Sequence, residues 1–315
     1  MHPASRFNTK RYLIQRLFKL ILFLFSSLII QAPTVAQPLN GEPGKRISVA
    51  PEAVFRMFRE AGMKPINHEL TEAEKEKVER AFAVLPPLHQ KILKAHLQSV
   101  SFMDNMPNNA LTSPVESSDS TKLYNITFRA GILGETVSEW ATKKEYTSFN
   151  QSTDSVFTIR VEAGTSDAIQ YVLLHEATHV VDAVLSITPH PKTSEALAEP
   201  TTFTKNIWST MNRPVNTFVH PLLEKTRFRT GSAPIDSAAD VYKALQQTPF
   251  ASLYGMAAWF EDLAELEAIY HHTRKMGQPF RILVRKNNVE VVRFEPMNNK
   301  RVKARIKQLR IFYKS

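Results

Sequence analysis

The chain has 315 residues and a formal net charge of +10, with 43% hydrophobic, 22% charged and 10% aromatic residues. This composition is typical of a folded globular protein and excludes a disordered chain. No pattern repeats at a fixed period, which argues against solenoids and propellers. The chain contains no cysteine, so disulfides and a lipid anchor on cysteine are excluded, and stability must come from core packing, with or without a metal.

The first 36 residues have the layout of a signal peptide. Basic residues without any acidic residue precede an apolar run at 20–30, and small residues at 34–36 suit a signal peptidase. The run is about 11 residues long, shorter than the ~20 that a membrane-spanning helix needs. We therefore predict cleavage of residues 1–36 and a secreted or periplasmic protein, with an uncleaved membrane anchor as the alternative. Residues 37–50 are predicted to be a linker.

The positive charge is concentrated at the C-terminus. Residues 274–315 contain 13 basic and 2 acidic residues, whereas residues 37–273 contain 22 basic and 28 acidic residues. We interpret the C-terminal charge first as a solvated helix face, and a weak contact with an anionic surface is the alternative. No nucleic-acid partner is expected, and the sequence does not indicate an oligomeric state.

The first part of the chain has helical periodicity. Residues 51–61, 71–85 and 88–102 predict three helices, and the second begins with a capping box. Residues 104–114 are rich in asparagine and proline and predict a loop. We therefore expect an N-terminal helical region over residues 51–114.

Residues 115–276 predict a domain of the α+β class, in which the hydrophobic period changes between 2 and 3.6. The predicted elements are a strand at 122–130, a helix at 135–146, a strand at 155–163, an apolar helix at 166–185, a proline-rich insertion of loops and short helices at 188–249, and a helix at 250–276.

The last region, residues 277–315, is basic. It predicts a β-hairpin around Asn287 and Asn288, followed by a basic amphipathic helix at 298–313.

One pattern in the helix at 166–185 carries chemistry, namely His175-Glu176-Ala177-Thr178-His179. Residues four apart on a helix share a face about 6 Å apart, so His175 and His179 can direct imidazole nitrogens at one ion. Glu176 lies beside that ion, where it can take a proton from a zinc-bound water and pass it to the leaving amine. The pattern therefore predicts one catalytic Zn²⁺ ion, and it makes residues 115–276 the predicted catalytic domain.

A catalytic zinc site needs a third protein ligand and one open position. Positions 182 and 185 hold Asp182 and Leu185, which excludes the metzincin arrangement with its third histidine. A carboxylate on a second helix remains, and Glu261 and Glu265 lie one turn apart among apolar residues. A ligating histidine usually donates its other ring N–H to a carboxylate, which either Glu265 or Asp182 can provide.

These features together resemble the gluzincin peptidases related to the catalytic domain of anthrax lethal factor. The resemblance covers about residues 120–275 and rests on the motif helix with Asp182, on Tyr254-Gly255, and on Glu261-x-x-Ala264-Glu265. It implies a zincin-like metallopeptidase fold with a small mixed sheet, an active-site helix and a mainly helical remainder. It also implies that Glu261 is the third ligand, that Tyr254 hydrogen-bonds the oxyanion, and that Glu265 is an acceptor behind the ligands.

The expected function is that of an exported zinc-dependent metallopeptidase acting on peptide or protein substrates. Two alternatives remain, an envelope-binding protein that keeps the zincin fold and a zinc hydrolase of a non-peptide amide. The strand at 156–162 is the expected edge for pairing with an extended substrate. Six other histidines are expected not to bind the ion. His89, His96, His190 and His220 have no partner at ligand spacing and are expected in packing or surface roles. His271 and His272 follow Glu261 by ten and eleven residues, roughly 15 Å along the same helix, which is too far to share its ion.

Overall fold

The computed structural model describes residues 41–115, 122–152, 155–193, 196–229 and 231–314. Over these residues the chain has an α+β fold with small sheets, 46% helix and 20% strand, which confirms the α+β part of the predicted fold class. The predicted signal peptide and the start of the predicted linker lie outside the described residues. Among the described helices, none is long and apolar enough to cross a membrane.

Helices and short strands alternate along the described chain. The α-helices are α1 (Glu52–Glu60), α2 (Glu72–Ala83), α3 (Pro87–His96), α4 (Val137–Tyr146), α5 (Ala168–Leu185), α6 (Pro221–Glu224), α7 (Ala238–Gln246), α8 (Trp259–Tyr270) and α9 (Lys300–Lys303). The strands are β1 (Ile66–Asn67), β2 (Leu97–Asp104), β3 (Ala110–Val115), β4 (Leu123–Arg129), β5 (Phe149–Asn150), β6 (Phe157–Glu162), β7 (Trp208–Thr210), β8 (Arg213–Pro214), β9 (Ala233–Pro234), β10 (Arg281–Lys286) and β11 (Val289–Phe294).

The longer strands belong to two sheets. The first has the order β1-β2-β4-β3, with β2 and β4 parallel and the other neighbours antiparallel. The second has the order β11-β10-β6 and is antiparallel. Its hairpin turns at Asn287 and Asn288, whose φ values of 49° and 63° are those of a two-residue type I′ turn. The hairpin predicted at this position is therefore confirmed.

Helices α5 and α8 pack against each other and are buried along most of their length. The apolar helix predicted at 166–185 corresponds to α5, which ends where Ser186 takes the left-handed conformation. The helix predicted at 250–276 begins only at Trp259, because residues 250–258 form turns with a short 3-10 helix at Tyr254–Met256. Two acidic residues, Glu261 and Asp262, occupy the first turn of α8, where the helix dipole favours negative charge.

One hydrophobic core joins the regions that the sequence analysis separates. Its buried side chains extend from Val78 on α2 through Trp140 on α4 and Leu266 on α8 to Phe312 near the C-terminus. A smaller cluster around Phe58 packs α1 against β2. The predicted helical region, catalytic domain and C-terminal region therefore share a core.

The region expected to be helical over 51–114 contains strands. The helix predicted at 88–102 ends at His96, and Leu97–Asp104 is strand β2; the loop predicted at 104–114 contains strand β3. The physical reason is nonlocal pairing. Ser99 and Ser101 hydrogen-bond Asn125 and Thr127 of β4 at 2.6 and 2.9 Å, and the strand buries residues that also fit a helical stripe.

Both ends of the described chain pack onto the body. Arg46, in the predicted linker, is buried and donates to the carbonyls of Leu93, Lys94 and Leu97 at 3.3, 3.0 and 2.6 Å, which satisfies the end of α3. The basic helix predicted at 298–313 is instead the short helix α9 followed by a 3-10 helix at Ile306–Tyr313.

Candidate metal centre and active-site cleft

Two histidines of α5 and one glutamate of α8 converge on a single point. His175 Nε2 lies 3.2 Å from His179 Nε2 and 3.0 Å from Glu261 Oε2, and His179 Nε2 lies 3.6 Å from the same oxygen. Zinc binds such donors at about 2.0–2.1 Å in a tetrahedral arrangement, which places neighbouring ligands roughly 3.3 Å apart. The three donor atoms therefore have the spacing of ligands around one tetrahedral ion.

The acidic residue of the motif, Glu176, lies on the same helix next to this triangle. One of its carboxylate oxygens lies within 4.8 Å of a ring nitrogen of each histidine. The Thr112 hydroxyl, on strand β3, donates to Glu176 Oε2 at 2.6 Å. The carboxylate is thus held at the wall of the cleft by a residue of the first sheet.

A buried carboxylate behind the triangle fixes one histidine ring. Glu265 Oε1 lies 3.1 Å from His175 Nδ1 and accepts from Lys144 Nζ at 2.7 Å, while Ser252 Oγ donates to Glu265 Oε2 at 2.6 Å. Burial raises the pKa of Glu265, but Lys144 and His175 outweigh burial and hold it well below its usual range. Glu265 therefore accepts a hydrogen bond from Nδ1–H and leaves Nε2 of His175 directed at Glu261.

The two carboxylates beside His175 favour a positive charge at its ring, either a proton or a metal ion. Burial lowers the pKa of His175, whereas its hydrogen bonds to Glu261 and Glu265 raise it, to about 9. The carboxylates thus favour positive charge at this ring. A metal ion bound at Nε2 must replace the proton there, so its binding strengthens as pH rises.

Tyr254 contacts the same carboxylate from the turn before α8. Its hydroxyl donates to Glu261 Oε1 at 2.6 Å, and its ring stacks on His175 with 6.0 Å between centroids. The Arg229 guanidinium lies 4.0 Å from the centre of the tyrosine ring. Burial and the neighbouring Glu261 raise the pKa of Tyr254 well above its usual value, so the phenol keeps its proton.

Asp182 is not brought to the histidines. Both of its carboxylate oxygens accept from Thr188, one from the backbone N–H at 2.6 Å and the other from the hydroxyl at 2.5 Å. The residue lies at the C-terminal turn of α5, where it fixes the chain reversal after the helix. The expectation that Asp182 orients a ligating histidine is therefore not met, and Glu265 has that contact.

The comparisons with known proteins add no relative. No protein-family model, curated protein sequence or solved structure matches this chain. Any functional interpretation of the cleft therefore depends on the contacts and chemistry of its own residues.

Strand β6, which was expected to pair with substrate, already has hydrogen-bond partners along both edges. β6 pairs with β10 along one edge, and along the other its N–H groups donate to side chains of α4. The acceptors are Tyr146 Oη for Ile159, Thr142 Oγ1 for Val161 and Ser138 Oγ for Ala163, at 3.0, 2.9 and 2.9 Å. β6 therefore has no free edge for a substrate, and the expectation for residues 156–162 is wrong.

The edge strand that borders the cleft is β3. It pairs with β4 at the end of the first sheet, and its residues Ala110, Leu111 and Thr112 line the cleft beside the histidines. This strand was not predicted, because residues 104–114 are rich in Asn and Pro.

Lys144 was also not predicted, although the sequence pattern of its helix indicates that it is buried. The buried residues of α4 follow the pattern i, i+3, i+4, i+7, and Lys144 occupies the last of these positions after Val137, Trp140 and Ala141. A lysine on a buried stripe requires a buried partner, and here that partner is Glu265.

The histidines outside the motif behave as expected where they are buried. His89 is fully buried, stacks on Phe312 and shares a hydrogen bond of 2.9 Å with Thr178 Oγ1, and burial lowers its pKa to about 3. His272 is bonded to the carbonyl of Ala163 at 2.9 Å. These rings pack the core around α5 and α8.

Proposed function

We propose that this chain is an exported zinc-dependent metallopeptidase of gluzincin type with a zincin-like fold. The observation that carries the proposal is the triangle of His175 Nε2, His179 Nε2 and Glu261 Oε2, with sides of 3.0, 3.2 and 3.6 Å. Two imidazoles and one carboxylate are a donor set of catalytic zinc in peptidases, and they leave a fourth position open. A helix carrying the histidines beside a second helix carrying the glutamate supports the zincin-like assignment.

When bound, zinc would activate water as a nucleophile and polarise the scissile carbonyl. Glu176 then acts as general base and, after attack, passes the proton to the leaving nitrogen. Tyr254 keeps its phenolic proton and can donate it in a hydrogen bond to the oxyanion. Glu265 accepts a hydrogen bond from Nδ1–H of His175, which fixes the tautomer needed for ligation through Nε2.

The edge strand supports a peptide substrate. Among the described residues β3 pairs with β4 only, so its other edge offers backbone N–H and C=O groups beside the cleft. An extended peptide can add to such an edge by main-chain hydrogen bonds. This feature favours peptides over the non-peptide amides of the alternative interpretation.

The test uses the full chain loaded with zinc and a library of short peptides. Wild type is expected to cleave a subset of them, and Glu176→Gln is expected to keep its zinc while activity falls about 10²–10⁴-fold. The matched control is Glu79→Gln, an exposed glutamate of α2, which should match wild type. Cleavage confined to non-peptide amides, or full activity of Glu176→Gln, would contradict the proposal.

Export is a separate part of the proposal and rests on the signal-peptide layout of residues 1–36. Expression of the full chain followed by N-terminal sequencing of the exported protein tests it. We expect a new N-terminus near residue 37 in the periplasm or medium, and a full-length chain retained in the cytoplasm would contradict export.

A further inference from the structure

The C-terminal segment, residues 300–314, has one side in the core and one side in solvent. Its buried side chains are Val302, Arg305, Leu309 and Phe312, at spacings of three or four residues. A second set with the same spacing is exposed and consists entirely of cations; it comprises Lys300, Lys303, Lys307, Arg310 and Lys314, which we call the basic stripe. These cations therefore point away from the core, and a segment of this length, part α-helix and part 3-10 helix, extends over roughly 25 Å.

The charges of the basic stripe are not balanced by neighbours. Residues 296–315 contain no acidic residue, and none of the five cations forms an ion pair with a described residue. The exposed Arg301 adds a further positive charge beside them. Such a row of like charges repels itself, and an anionic partner relieves that repulsion.

The segment that carries the stripe is firmly anchored. Arg305 forms a two-point ion pair with Asp262 of α8 at 2.8 and 2.6 Å, and the Tyr313 hydroxyl donates to Glu267 at 2.6 Å. Phe312 is fully buried against His89. The cations are therefore held on a fixed surface, and no ordering of the backbone is needed when a partner binds.

We propose that the basic stripe binds the phosphate headgroups of an anionic lipid surface. Clusters of four to eight Lys and Arg on an amphipathic segment suit such surfaces. Ile311, which is 39% exposed, follows Arg310 in the chain and can enter the headgroup region. Single-stranded nucleic acid is less suited, because Phe312 and Tyr313 face inward and leave no stacking platform.

The test is vesicle co-sedimentation of the full chain. Vesicles contain either phosphatidylcholine alone or phosphatidylcholine with 30% phosphatidylglycerol. We compare wild type with a stripe variant, Lys303→Gln/Lys307→Gln/Arg310→Gln, and with a control variant of equal charge loss, Lys64→Gln/Lys192→Gln/Lys286→Gln, whose three lysines are exposed and lie outside residues 300–314. Residues 1–40 are the same in all three proteins, so any binding through them is common to all.

Wild type and the control variant are expected to bind the anionic vesicles more tightly than the neutral ones, and to lose this preference in 1 M salt, where the Debye length is about 3 Å. The stripe variant should bind anionic vesicles about a hundredfold more weakly, from roughly fivefold for each cation removed. Equal loss in both variants, no preference of wild type for anionic vesicles, or binding of duplex DNA but not of vesicles would overturn the proposal. Circular dichroism of the variants checks that each is folded.

Discussion

The pair of Arg305 and Asp262 allows a quantitative prediction about how the C-terminal segment supports the cleft. Asp262 follows the proposed ligand Glu261 in the first turn of α8, and Arg305 is only 4% exposed. We expect Arg305→Met to lower the free energy of unfolding by about 4 kcal/mol, because breaking a buried ion pair leaves an unpaired buried charge, at a typical cost of ~3–5 kcal/mol.

The contacts around the pair agree with that magnitude. The substitution removes two charge-assisted hydrogen bonds to Asp262, of 2.8 and 2.6 Å, and one bond of 3.0 Å to the carbonyl of Pro249. Charge-assisted bonds contribute roughly 1.5–3 kcal/mol each. Asp262 is fully buried and keeps only the indole N–H of Trp208, at 2.9 Å, among the bonds described here. Packing of the methionine side chain offsets part of the loss.

Urea unfolding followed by circular dichroism at pH 7, with a chelator present so that metal does not stabilise the folded state, measures the effect. Arg310→Met, an exposed arginine of the same segment, is the control and should change stability by less than about 0.5 kcal/mol. The double variant Arg305→Met/Asp262→Leu should recover more than half of the loss. A loss below about 1 kcal/mol for Arg305→Met, or no recovery in the double variant, would refute the reasoning.

Two further predictions concern buried charges near α8. Lys144→Met should raise the zinc dissociation constant about tenfold or more in chelator competition, because Glu265 loses its ion-pair partner. The control is the exposed neighbour, Lys143→Met. An equal rise in the zinc dissociation constant of that control would contradict a specific role of Lys144. Burial raises the pKa of Glu267 well above its usual value, so the folded state loses stability as pH rises above about 4.5, the ordinary pKa of a glutamate. Glu267→Gln should therefore stabilise the protein at pH 8 and not at pH 4 in urea unfolding, and a gain independent of pH would argue against it.

The part of the site that lies on one helix could be predicted from the sequence. His175 and His179 are one turn apart on α5, so their convergence follows from helix geometry and does not depend on the rest of the fold. The approach of Glu261 depends on how α5 and α8 pack. Acidic residues among apolar neighbours made Glu261 and Glu265 candidates, and the resemblance to gluzincins selected Glu261 as the ligand. Tyr254 was likewise expected from the resemblance, and its hydroxyl does lie on the Glu261 carboxylate.

The features that could not be predicted depend on contacts between distant segments. The apolar spacing of Leu97 and Val100, three residues apart, fits a helix, and the pairing of β2 with β4 overrides that local preference. The closure of β6 depends on hydroxyl groups of α4 such as that of Tyr146, which the alternating pattern of a strand does not reveal. Asp182 has the right spacing for a partner of His179, yet Thr188 occupies both of its oxygens.

The zinc content of the purified chain tests the central claim most directly. Wild type, Glu176→Gln and Glu261→Gln are loaded with zinc, freed of excess metal and analysed by mass spectrometry of the element. The proposed roles predict about one zinc per chain in wild type and in Glu176→Gln, because Glu176 only transfers a proton and does not bind the ion. They predict far less zinc in Glu261→Gln, because that variant loses a ligand. A wild type without zinc, or a Glu261→Gln variant that retains zinc as wild type does, would contradict the proposed ligand set.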